Sequence, residues 1–403
     1  MPITTLTIPL RPETIPDKPS FTMVRTAAPF DTNNTRTCLF VKAKTSDGAA
    51  GVDVFDVTDP PIVVRNFRGT LKAPFQNDIY LYPLGAIDTG QYIDLPVIMM
   101  GHADKGIAAI LREFGTPKIL HINSLGSTVL HPGIGHYGVD SLPSLGFYVS
   151  DSTNVYFLRA GLGKLTEYAR TTPPAKILNH PSDNLEQAAP SPATSRTAVF
   201  LQQQRSPNFL FDICNPQTNS NELITNPGYF TNSNVTAVTL YRGGPPDNDI
   251  RLALYTDTDN FVENIILYYL DSHVRTTGHL EYGSVTSVDP VSAGQYIYFV
   301  SRDRDSIQIF SVTRQQQRIL IPGVIVGQPC LGANGELIVT YDGRSTLRPS
   351  GCLALATDGT IKWTYEVTGS WPVTAAVFSQ GWVGFFGVTS DTKPFVNLLT
   401  NPG

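Results

Sequence analysis

No run of eighteen apolar residues occurs in this 403-residue sequence, so no membrane-crossing helix is expected. The N-terminal MPITTLTIPLRPETIPDKP lacks the basic and apolar regions of an export signal, which predicts a soluble chain made in the cytoplasm and inserted in no membrane. Cysteine is scarce: Cys38, Cys214, Cys330 and Cys352 lie far apart without a C-x-x-C pair, which excludes a dense disulfide framework and predicts buried free thiols. Charge is thin as well. Charged residues make up 16% of the chain, and a net charge of −5 without a basic block removes the electrostatic footprint of a nucleic-acid binder.

Catalytic and metal motifs are missing too. No G-x-S-x-G elbow is present, so nucleophilic catalysis has no local support, although a site assembled from distant segments stays open. GIGHYG at 133–138 spells the dinucleotide fingerprint, but Pro132 precedes it and VDSLPSLG follows, where a strand and a helix N-terminus are required. The close histidine pairs, His131 with His136 and His273 with His279, lack the spacing that puts two imidazoles on one ion. No cofactor and no metal are expected.

Aromatic residues at 10%, with 33 Gly and 31 Pro, favour many short strands and turns. One unit recurs eight times: an apolar strand, a polar turn, then a second apolar strand, beginning near residues 37, 95, 145, 197, 251, 295, 336 and 381. The spacing of 41–58 residues matches four-stranded β-propeller blades, and a shorter apolar piece ahead of each pair fits an innermost strand. The expected fold is all-β, a single propeller over 1–403 with eight four-stranded blades, or seven as the alternative. DKGIAAILREF at 104–114 has helical spacing, but its place in the repeat predicts a strand. The last unit lacks a fourth strand, and residues 3–10, ITTLTIPL, alternate cleanly enough to supply it and close the ring. The connection over 170–196 carries five prolines and reads as an excursion over one face, with a short helix near 184–189.

Within residues 335–367, Gly351, Leu353, Ala354, Leu355, Asp358, Gly359 and Trp363 stand in the order G-x-L-A-L-x-x-D-G-x-x-x-W. This stretch resembles the eight-bladed repeats of quinoproteins of the PQQ type. The resemblance covers one blade and implies shape. Quinone enzymes hold their cofactor with adjacent cysteines, a stacking Trp and calcium; here the cysteines are scattered, and Trp363, Trp371 and Trp382 belong to the last two blades.

What remains is a set of turns between second and third strands, which in a propeller emerge on one face. The candidate binding residues are Asp257 and Asp259 in YTDTDN, Arg302 and Asp305 in SRDRDS, and Asp342 and Arg344 in DGRSTLRPSG. The expected role is a non-catalytic, rigid module that binds other protein chains in a larger assembly. A virus or phage particle is the assembly favoured by a Thr-, Asn-, Gln- and Pro-rich, Lys-poor composition. Two rivals stand beside it. A propeller enzyme, such as a lactonase, glycosidase or degenerate quinoprotein, would draw on Asp140, Asp257, Asp305 and Asp342; a glycan binder would stack sugars on Tyr137, Tyr156, Tyr255 and Tyr298.

Overall fold

The structure is a computed structural model. It describes residues 5–9, 21–28, 31–44, 49–57, 69–72, 79–83, 93–101, 106–113, 116–121, 133–138, 145–161, 164–177, 196–201, 210–216, 218–225, 234–242, 250–258, 261–269, 275–283, 285, 291–293, 295–311, 313, 315–332, 334–374, 376–379 and 382–400. These residues form 33 strands and one short 3-10 turn, Arg344–Thr346. Every pairing is antiparallel and links neighbours in sequence apart from three, the N-terminal strand with the last strand and the two inner strands that are split in two, giving eight successive sheets. The chain divides into two compact units, residues 12–226 and residues 1–11 with 227–403.

The first unit holds four sheets. The first is Phe21–Ala28, Asp31–Lys44, Ala50–Val57 and Gly69–Lys72, and the second is Ile79–Pro83, Ile93–Gly101, Ile107–Glu113 and Thr116–His121. Ile107–Glu113 is the segment with helical spacing; pairing on both sides, Met100↔Ile107 and Ala108↔His121, outweighs that local pattern. The third sheet is Gly133–Gly138, Leu145–Ser150, Val155–Gly161 and Lys164–Thr171, so GIGHYG is an edge strand leading into another strand.

The fourth sheet has three strands, Thr197–Leu201, Leu210–Asn215 and Ser220–Thr225. Its inner position is marked by a bridge from Ile177 to Leu201, with the Ile177 N–H also donating to Ser152 O at 2.9 Å. Residues 186–193, EQAAPSPA, the apolar piece that the repeat places ahead of this sheet, lie outside the described residues; among those described, buried Ile177 stands beside Leu201. The long connection is shorter than expected, because the strand Lys164–Thr171 runs into it. Residues 178–195, including the expected helix at 184–189, lie outside the described residues.

The second unit continues with the fifth sheet, Asn234–Arg242, Ile250–Thr258, Phe261–Tyr269 and Arg275–His279, and the sixth, Val291–Ala293, Tyr296–Val300, Ser306–Ser311 and Gln316–Leu320. In the seventh, Leu337–Asp342, Ser350–Leu355 and Ile361–Val367 follow an inner strand split into Val324–Ile325 and Cys330–Leu331. The eighth has a split inner strand as well, Ser370–Pro372 and Val377–Ser379, before Trp382–Thr389 and Pro394–Thr400.

Alternation explains the packing. Tyr298, Val300, Ile307 and Ile309 of the sixth sheet meet Leu337, Val339, Tyr341, Leu353 and Leu355 of the seventh in one buried cluster. Each fully buried side chain of this kind contributes about 1.5–3 kcal/mol. The intervening Ile297, Phe299, Gln308 and Phe310 are buried on the other face, so middle strands read as nearly continuous apolar runs. Outer strands such as Gln316–Leu320 and Ile361–Val367 alternate towards solvent.

Splitting the inner strands frees backbone groups that two threonines recover. The Thr340 hydroxyl lies 3.1 Å from Val326 O and 3.0 Å from Thr374 O, and Thr374 Oγ1 accepts from the Phe386 N–H at 3.1 Å. The N-terminal strand Thr5–Pro9 lies along Pro394–Thr400, from Thr5↔Leu399 to Pro9↔Phe395. Thr7 Oγ1 donates to Asn397 Oδ1 at 2.7 Å, and Ile8 is buried. This fourth strand covers an edge, Phe395–Leu399, that would otherwise present apolar residues and open backbone groups.

Candidate functional site

Among the described residues, the turns between second and third strands in the third, sixth and seventh sheets are each locked by a carboxylate of their own. In the third sheet, Asp151 Oδ1 accepts from the N–H groups of Thr153 and Asn154, both at 2.7 Å, while Oδ2 accepts from the Tyr156 hydroxyl at 2.7 Å. Burial, joined by that bond to Asp151, pushes the Tyr156 hydroxyl up to about 12. Arg170 lies over the Tyr156 ring at 5.1 Å.

In the sixth sheet the turn closes around Asp305. Its Oδ1 accepts from Ser301 Oγ at 2.9 Å and Ser306 Oγ at 2.8 Å, and Arg318 Nη2 reaches both oxygens at 3.2 Å. Burial alone would raise this carboxyl; the two hydroxyls and Arg318 more than offset it and hold Asp305 below the usual carboxylate range. Arg302 and Asp303 stand exposed at the tip.

In the seventh sheet Asp342 is forked by Arg344, with Nη2 at 2.6 Å from Oδ2 and Nε at 3.0 Å from each oxygen. Burial again works upward on Asp342, and Arg344 with the Ser350 hydroxyl overcomes it, leaving the carboxyl below its usual range. The Arg344 guanidinium also stacks on Trp371 of the eighth sheet at 3.9 Å. Beyond it the chain turns through Leu347, at φ 55° and ψ 31°, with its side chain 96% exposed.

The sixth- and seventh-sheet turns are neighbours through the connecting segment between them. Ile321 N–H donates to Asp305 O at 2.8 Å, Ile325 N–H donates to Arg304 O at 2.7 Å, and Thr346 Oγ1 donates to Pro322 O at 3.1 Å. Gly323 packs so tightly against the Asp342 carbonyl that a Cβ there would collide with it. Of the candidates read from sequence, the structure thus brings Arg302, Asp305, Asp342 and Arg344 onto adjoining turns. Asp257 lies in the strand Ile250–Thr258, paired with Asn234 and Val262. Asp259 and Asp140 lie outside the described residues. Trp371, Leu347 and Arg348 were not among the candidates; a tryptophan at the start of a strand, beside a turn with two arginines, is the signal that could have found them.

No protein-family model matches the sequence, and a search of curated proteins finds no significant relative. Similar solved structures exist. The Dos1 propeller has a TM-score of 0.56 at 9% identity, over 98% of this chain and 95% of that one. The WD40 domain of SCAP from fission yeast gives 0.53 at 9%, over 100% of this chain and 98% of that one. Dihydro-heme d1 dehydrogenase NirN gives 0.53 at 10%, over 90% of this chain and 73% of that one. The fold is that of a β-propeller.

Two of the four tyrosines considered for stacking sugars, Tyr156 and Tyr298, prove to be core residues, each 2% exposed. Inward-facing alternation puts Tyr298 in the cluster with Leu337 and Leu353, and Asp151 ties down Tyr156. The side chains of Tyr137 and Tyr255 lie outside the described residues. Among the described residues no three His, Cys, Asp or Glu side chains converge as metal ligands. One carboxyl is different in kind. Asp212, in the middle strand of the fourth sheet, is 0% exposed, and among the described residues only weak contacts from the Cys214 thiol and the Glu222 backbone favour its charged form. Burial pushes it above the usual carboxylate range, helped by the charge of Glu222 and opposed by the Cys214 thiol. Being sealed, it is not placed to meet a substrate.

Proposed function

We infer that this propeller is a non-catalytic protein-interaction and assembly module, a single ring of eight blades closed by Thr5–Pro9 against the last sheet. Fold alone does not choose between binding and catalysis, since an enzyme and a WD40 domain stand among the similar structures. The observation that carries the reading is the state of the turn carboxylates. Asp305 and Asp342 are each held by an arginine and by hydroxyls of their own turn, and sit below the usual range. A general acid needs a raised value, and a general base needs an oxygen free to take a proton. These turns are rigid and internally satisfied, which suits a surface that recognises a partner's shape and charge at little entropic cost.

The partner class is another protein chain. Membership of a virus or phage particle is the specific form favoured by the Thr-, Asn-, Gln- and Pro-rich composition. Purifying the chain gently from its native source and weighing it by mass photometry tests this reading. A stoichiometric complex above 43.9 kDa is expected. A bare monomer that turns over a lactone, glycoside or redox substrate overturns it.

A further inference from the structure

We propose that the turn at 342–350 is a docking knob for an acidic protein segment, with Leu347 as the apolar anchor and Arg344 and Arg348 as the flanking charges. The proposal rests on the interaction-module reading above and assigns its contact point. Leu347 is the most exposed large apolar residue among those described, at 96%, and it sits at φ 55°. A left-handed backbone costs a non-glycine residue on the order of 1–2 kcal/mol, and turn chemistry selects Gly or Asn for it. Elsewhere among the described residues Gly359 and Asn219 serve in that way, and Arg304 and Thr392 take it with polar side chains in the turns of the sixth and eighth sheets, so Leu347 is the apolar one. Here a branched apolar side chain occupies the position, and the folded chain gains nothing from burying it. An observed outlier of this kind points to function.

The exposure is built into the turn. The N–H groups of Thr346 and Arg348 both donate to Gly343 O at 3.0 Å, and that of Leu347 donates to Arg344 O at 3.3 Å. Gly343 leaves no room for a Cβ against the carbonyls of Arg348 and Pro349. The turn is further tied to the preceding connection by Thr346 Oγ1 on Pro322 O. Leu347 is therefore held outward.

Charge identifies the partner. Arg344 is fixed on one side by Asp342 and beneath by the Trp371 ring, so its Nη1 has no partner among the described residues, on a side chain that is still 54% exposed. Such a guanidinium is preorganised, and carboxylates are the anions it pairs with best in a protein partner. Arg348 is exposed and makes no ion pair among the described residues. Two arginines against one aspartate leave the turn positive on a chain of net charge −5, so an acidic segment carrying aromatic or aliphatic residues fits it.

A random dodecapeptide display library selected on the full chain tests this. Recovered peptides are expected to carry at least two Asp or Glu residues around an apolar one, and to lose at least ten-fold in affinity with Leu347→Asp or Arg348→Glu. Leu347→Asn, which suits the backbone, should match or exceed the parent in thermal stability while losing the same peptides; this separates binding from folding. Binders unaffected by these variants overturn the knob but leave the module reading intact. A library that yields no binder anywhere overturns both. Leu347-dependent binding to vesicles with anionic lipid, or Leu347-dependent self-association in sedimentation without peptide binding, replaces the acidic protein segment by a membrane or a second copy and overturns the proposal.

Discussion

Replacing Asp212 by asparagine should flatten the pH dependence of stability. The carboxyl is fully enclosed on a strand paired to Val199 and Leu223, on the face where Val199 and Cys214 pack with Tyr148 and Phe157. The titratable groups in its surroundings among the described residues are Cys214, Glu222 and Tyr148. Its folded value is raised, so the sign is fixed. Below about pH 4 both folded and unfolded chains hold the proton and the native state is at its best. As pH rises, the unfolded chain releases a proton that the folded chain keeps, and stability falls until the folded carboxyl ionises too. The amide of Asp212→Asn has nearly the same shape as the carboxyl and no charge, so the variant should match the parent near pH 4. At neutral pH an enclosed, unpartnered group costs about 1–3 kcal/mol, and more when charged. A gain of about 2 kcal/mol corresponds to a rise in Tm of roughly 4–8 °C for a unit of 150–250 residues. Melting followed by tryptophan fluorescence and circular dichroism from pH 4 to 8 reads it. Curves for parent and variant that stay parallel across that range would refute the reasoning.

Removing residues 1–9 should uncover the edge of Pro394–Thr400 and strip its pairing with Thr5–Pro9, giving a steep loss of Tm with aggregation; an unchanged melting curve would show that this edge needs no cover. Gly351→Ala should cost about 1–3 kcal/mol in urea unfolding, because its Cβ would strike the Tyr365 carbonyl across the strand pair, and retention of full stability would count against the register described. Asp342 and Asp305 carry the opposite pH sign to Asp212. Their lowered values stabilise the fold above the usual carboxylate range, and that contribution is lost as pH falls through the folded values. Asp342→Asn should therefore cost under about 1 kcal/mol at pH 7, since its arginine partner is half exposed, and progressively less towards pH 2.

The repeat was readable because each unit carries its own signals. The Asp358-Gly359 turn reads directly, with Gly359 at φ 83° between Ser350–Leu355 and Ile361–Val367. The strand Thr5–Pro9 was readable from its alternation and from a last unit one strand short. The inner strands were harder. Two-residue pieces such as Val324–Ile325 and Cys330–Leu331 have no period of their own, and their backbone is completed by Thr340 from another strand. In the fourth sheet the described residue beside Leu201 on that side is Ile177, joined by a single bridge that no sequence period marks. The candidate site was legible only in part. Asp342 and Arg344 are two residues apart, so their pairing is local, whereas the stack on Trp371 joins two sheets and needs the fold. Asp212 was hidden for the same reason: LFDIC reads as an ordinary alternating strand, and only packing against another sheet encloses the carboxyl.

The central claim is that this propeller works by presenting its second-to-third-strand turns to a protein partner. Hydrogen exchange on the complex recovered from the native source, compared with the free chain, tests it most directly. The account predicts new protection at amides of 301–305 and 342–348, with the middle strands unchanged. Protection confined to the outer strands Gln316–Leu320 and Ile361–Val367, or none at all, would contradict it.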